Sequence, residues 1–215
     1  TFPLLEKLST DRDWRVRRTT TRVLASFPPK KALPLLEKLS SDSDSSVREA
    51  AAKALSSFPP ETVLPLLEKL STDRDWEVRR AAAESLGSFP PEKTLPLLEK
   101  LTSDRKWQVR LAVAKALSSF PPETALPLLE KLSTDRDDYI RQVAQNTLLS
   151  SILPHLVQEA IARENSQTIL DLLAKFPVVA DCVKFEYDLN PTPFLKRILS
   201  IVSITSQKTD FDVSM

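Results

Sequence analysis

At 215 residues with 41% hydrophobic content the chain can build one large apolar core, and its 30 basic and 29 acidic side chains leave a net charge of +1. That balance excludes a whole-chain nucleic-acid footprint and an acidic tail, so any charge argument must be local. The lone cysteine, Cys182, excludes an internal disulfide and a thiolate zinc site. No apolar run nears the ~18 residues of a membrane span, and no basic-then-apolar signal opens the chain, so a cytoplasmic location is expected. The sequence starts at Thr1 inside a repeated motif and reads as a fragment of something longer.

Phe-Pro-Pro recurs at Phe27, Phe58, Phe89 and Phe120, each step being 31 residues. Leu-Pro-Leu-Leu-Glu-Lys-Leu keeps the same spacing from Leu33, Leu64, Leu95 and Leu126, and a variant beginning Phe2-Pro3 opens the chain, making five copies. A turn motif, Asp-Arg-Asp-Trp-x-Val-Arg, stands at Asp11 and Asp73 and in altered form at Asp42, Asp104 and Asp135.

Each copy predicts two helices. In the third, Val63, Leu66, Leu67 and Leu70 fall at i, i+3, i+4 and i+7, one face of helix A. It starts at Pro60, where a missing N–H costs nothing, and a kink is expected at Pro65. Helix B follows with the stripe Val78, Ala81, Ala82, Ser85, Leu86 and Phe89, capped by Asp75. In the second copy the stripe is Val47, Ala50, Ala51, Ala54, Leu55 and Phe58, whose small residues favour close helix packing. Phe-Pro-Pro ends the hairpin, because proline disfavours helical geometry in the residue before it. A single hairpin cannot bury both stripes, so the copies must stack.

The spacing breaks after Phe120: Ser151-Ile152-Leu153-Pro154 stands where the next triplet is due. The expected organisation is five tandem repeats over 1–150, a degenerate sixth capping repeat over 151–182 and a C-terminal tail over 183–215. The sixth repeat would use helices Pro154–Arg163 and Gln167–Lys175 with Ser166 as cap. The tail would hold a short capping helix, Phe194–Ile204, and a loose end from Ser206.

The run Leu67 to Ala82, with Leu-x-x-Leu followed by Asp-x-Asp-Trp-x-Val-Arg-x-x-Ala-Ala, resembles the short HEAT repeats first noted in phycobilisome lyase subunits. The resemblance covers residues 1 to about 150 and implies an all-α, right-handed α-solenoid with B helices on the concave side. It further implies a structural ladder between adjacent repeats, joining turn aspartates Asp11, Asp42, Asp73, Asp104 and Asp135 to Arg17, Arg48, Arg79, Arg110 and Arg141. Similar proteins include bilin lyase subunits, a metal-dependent hydroxylase, DNA glycosylases and sensing arms of nucleotide-driven switch proteins, so the fold does not select the function. The hydroxylase is set aside, because the only histidine, His155, has no adjacent Glu and metal ligation needs several placed donors. His155 reads as a solvated helix residue and Cys182 as a small core residue.

With Val16 at the centre of the core stripe, positions 14, 18, 21 and 25 are expected to point away from it. The outward set then offers Trp14, Arg18, Arg22, Trp76, Arg80, Trp107, Leu111, Lys115 and Tyr139 as protein-binding residues, a composition suited to interface anchors. The reading is a non-catalytic scaffold that binds a protein or peptide on its B-helix face, or the sensing arm of a larger protein. It needs no cofactor, metal or membrane. A second reading is a nucleic-acid-binding module using Arg12, Arg15, Arg17, Arg18 and Arg22 with Trp14 for stacking. A third is a bilin lyase subunit.

Overall fold

Proline sets the helix boundaries. The computed structural model describes residues 2–200, and among them every regular element is helical. The A helices are α1 (Phe2–Leu8), α3 (Pro29–Leu39), α5 (Pro60–Ser71), α7 (Pro91–Leu101) and α9 (Pro122–Leu132). The last four open on the second proline of the triplet, whose absent N–H is one the first turn would leave unpaired anyway. Each of the four also runs through an internal proline, Pro34, Pro65, Pro96 or Pro127. All four rings lie on the exposed side, where water can solvate the carbonyl that loses its donor.

The B helices are α2 (Trp14–Leu24), α4 (Ser45–Leu55), α6 (Trp76–Leu86), α8 (Trp107–Leu117) and α10 (Asp138–Thr147). Asp13, Asp44, Asp75 and Asp137 cap four of them, accepting from the N–H two residues ahead at 2.8, 2.8, 2.9 and 3.0 Å. At α8 the cap position is Lys106, and its side chain makes no capping bond.

The core is the repeat written in side chains. Leu36, Leu67, Leu98 and Leu129 from the A helices meet Val47, Val78, Val109 and Ile140 from the B helices, all without solvent exposure. The B helices α2, α4, α6 and α8 press on one another far more extensively than the A helices do, as the alanines of α4, α6 and α8 permit. This tight layer corrects the expected outward direction of position 21. Thr21, Ala52, Ala83 and Ala114 are fully buried, because α4 and α6 each lie between two other B helices while α2 packs on α4 and α8 on α6; Ser85 Oγ donates to the Ala52 carbonyl at 2.9 Å. Only a narrow arc through positions 14, 18 and 22 stays open. At Gly87 the approach is closest: a Cβ there would lie 2.6 Å from Ala116 Cβ.

The described residues pack as two compact units that part after Ala144, within α10. In the second unit the missing triplet is replaced by a π-helical segment, Leu148–Ile152, followed by α11 (Leu153–Ala162) and α12 (Ser166–Lys175). The cap of α12 is Asn165, which accepts from Thr168 N–H at 3.1 Å; Ser166, expected as the cap, is already the first helical residue. Tail periodicity did not reveal α13 (Val179–Leu189), which buries Val179 and Val183. Residues 193–200 are helical and bury Phe194, Leu195 and Ile198; the rest of the expected Phe194–Ile204 helix and the stretch from Ser206 lie outside the described residues. No described helix is long and apolar enough to cross a membrane.

Candidate binding surface

Four of the five turn aspartates, Asp42, Asp73, Asp104 and Asp135, do two jobs. In each, Oδ1 accepts from the backbone N–H two residues on, at 2.9 Å for Asp42 and Asp73, shaping the turn into helix B. Both oxygens of the same carboxylate then receive a forked pair of bonds from an arginine 25 residues earlier. Arg17 reaches Asp42 at 2.7 and 2.8 Å, Arg48 reaches Asp73 at 2.8 and 2.9 Å, Arg79 reaches Asp104 at 2.6 and 3.0 Å, and Arg110 reaches Asp135 at 2.6 and 2.7 Å. The third guanidinium nitrogen turns back to the carbonyl of Asp11, Asp42, Asp73 or Asp104 in its own copy, each at 2.8 Å. One arginine therefore stitches its own turn and clamps the next.

Burial pushes these carboxyls up, but the arginine bonds and the turn N–H outweigh it and hold Asp42, Asp73, Asp104 and Asp135 below the ordinary carboxylate range. Two expected members stand apart. Arg141 pairs with Asp138 inside its own helix. The Asp11 side chain accepts from Asp13 N–H at 2.8 Å, and its backbone carbonyl serves Arg17.

The open arc of the B helices holds the remaining candidates. Trp14 and Trp76 are half-buried and carry arginines, Arg15 at 5.1 Å and Arg80 at 6.0 Å from the ring centres. Trp107 has no arginine over it and is 42% exposed. One and two turns further along α8 lie half-exposed Leu111 and exposed Lys115. Tyr139 is 52% exposed, but it matches Arg15 and Gln108 in the repeat, so it stands one position off the tryptophan column.

Sequence reasoning missed the hub of this face. Glu49 accepts from Lys53 at 2.7 Å and from Arg80 at 3.3 Å, and Arg80 also reaches Glu84 at 3.0 Å, an alternating chain of four charges. Its signal was present as opposite charges four and 31 residues apart. Arg80, read as free for a partner, is thus tied to two carboxylates. The five-arginine cluster of the first repeat also divides: Arg17 is spent on Asp42, Arg12 lies in the turn ahead of α2, and Arg15 sits against Trp14.

His155 is exposed on α11 and, against the expectation that it has no Glu beside it, meets Glu159 one turn on, their ligand atoms within 4.8 Å of each other. Burial, with Asp181 and Glu186 adding to it, pushes the half-buried Cys182 thiol up, away from the thiolate a nucleophile needs.

A family model described as HEAT repeats matches residues 2–73 and 63–148. Among solved structures, the complex of CpcE and CpcF of phycocyanin lyase from Nostoc sp. PCC7120 is similar at 22% identity and TM-score 0.56, over 68% of this chain and 96% of that one. YibA of Escherichia coli gives 15% identity and TM-score 0.56 over 94% and 81% of the two chains. A designed armadillo repeat protein gives 18% identity and TM-score 0.52 over 94% and 100%. At these identities the likeness is one of fold. No curated protein sequence matches the chain.

Proposed function

This chain belongs to the HEAT-repeat family, and from that premise we propose that it is a non-catalytic scaffold whose B-helix face binds a protein or peptide. The observation that carries the reading is Trp107, which is 42% exposed on a face whose other tryptophans are half-buried and carry an arginine. Leu111 and Lys115 extend it along the same helix, giving an aromatic anchor, an apolar neighbour and a charged rim. The B helices pack side by side from repeat to repeat, so an extended partner laid along them would meet several repeats at once.

The nucleic-acid reading loses support, because it needs a continuous row of cations and the first-repeat arginines do not form one. The lyase reading rests on likeness of fold alone.

The test is calorimetry of a co-purifying partner against Trp107→Ala, with Glu99→Ala as control, since Glu99 is exposed on the A-helix side. Truncating a central tryptophan removes ~2 kcal/mol, about 30-fold in affinity, while Glu99→Ala leaves binding unchanged. Equal affinities for the two variants move the site off this face.

A further inference from the structure

The two charged columns of the B face are compensated in the middle of the unit and uncompensated at its start. Position 18 and its equivalents read Arg18, Glu49, Arg80, Leu111 and Gln142; position 22 and its equivalents read Arg22, Lys53, Glu84, Lys115 and Asn146. Between α4 and α6 the four charges Lys53, Glu49, Arg80 and Glu84 close on one another and sum to zero. Among the described residues of these two columns on α2 and α4, the only carboxylate is Glu49, already committed to Lys53 and Arg80. Among the described residues, neither Arg18 nor Arg22 makes an ion pair.

Those two arginines wall a groove of about 360 Å³, with Glu49 and Lys53 on the opposite side and Ala25, Ala50 and Ala54 between. The small side chains let a ligand descend between the helices, and the guanidinium groups, one helical turn apart on α2, are spaced for two carboxylates.

We propose that the α2–α4 groove receives an acidic segment of the peptide partner, two carboxylates of which pair with Arg18 and Arg22. The proposal rests on the B-helix face being the binding face and names the chemistry of what binds there. Charge complementarity selects the occupant: the groove carries three cations against one carboxylate and lies among mostly neutralised neighbours. A nucleic-acid strand would bring further phosphates past Glu49, with no row of cations beyond the groove to receive them.

The experiment is NMR titration of the nitrogen-15-labelled chain with hexaglutamate at low salt, with hexalysine and hexathymidylate as comparison probes. Hexaglutamate should give saturable shifts at the Arg18 and Arg22 Nε–H groups and at the amides of Ala25, Ala50 and Ala54. These shifts should shrink as salt is raised, and hexalysine should give none there. Arg18→Gln/Arg22→Gln, which removes no hydrogen bond of the fold, should weaken hexaglutamate at least about tenfold with an unchanged urea midpoint. Shifts of equal size at exposed Arg12, Arg74 and Arg105 would overturn the proposal, as would tighter binding of hexathymidylate at the same groups. A co-purifying partner lost by Trp107→Ala but kept by Arg18→Gln/Arg22→Gln would defeat the acidic-segment inference and leave the face intact. A partner kept by both variants would defeat both.

Discussion

If the arginine–aspartate clamps join repeat to repeat, a double-mutant cycle on the central one should show it. Arg79 and Asp104 are 16% and 9% exposed at the side chain and share bonds of 2.6 and 3.0 Å. Arg79→Ala removes both bonds and the link to the Asp73 carbonyl and leaves Asp104 charged in a mostly dry site, at a cost of about 3 kcal/mol. Asp104→Ala strands the guanidinium and also loses the 2.8 Å turn bond to Lys106 N–H, for a similar cost. The double variant leaves no orphaned charge, so it should fall short of the sum by about 2 kcal/mol. Urea unfolding followed by circular dichroism, fitted with nearest-neighbour coupling between repeats, reads this value. Because the Asp104 pKa is depressed on folding, its stabilisation is present above the unfolded value of ~3.9 and lost as pH falls through the folded one. The coupling should therefore be the same at pH 7 and pH 5 and should shrink below about pH 4. Additivity within ~0.3 kcal/mol at pH 7 would show that the clamps are only spectators of packing.

Two further changes test the B layer. Gly87→Ala should destabilise by about 1–3 kcal/mol despite alanine's better helix propensity, because its Cβ must displace Ala116, whose Cα lies 3.0 Å from the new atom; a raised urea midpoint would refute the close approach. Lys106→Asp restores the cap that α2, α4, α6 and α10 have, and should stabilise by about 1 kcal/mol in thermal unfolding; no gain would mean that α8 satisfies its first turn by other means.

The repeat itself determined most of the fold. Proline can open a helix but not donate within one, so Phe-Pro-Pro every 31 residues punctuates the chain, and apolar spacing alone marks the buried leucines and valines. Where the repeat lapses, legibility lapses with it: α13 and the Asn165 cap went unread, because a single copy offers no second line to compare. For the surface, a helical wheel gives direction from one helix axis and knows nothing of the helices alongside. Position 21 looked outward by angle, yet the B helices on either side of it bury Ala52 and Ala83. Likewise Arg80 and Arg18 occupy equivalent positions and look alike in sequence. Only the packed structure brings Glu49 within reach of Arg80 and leaves Arg18 without a carboxylate, since pairing depends on distances across helices that no single-chain periodicity contains.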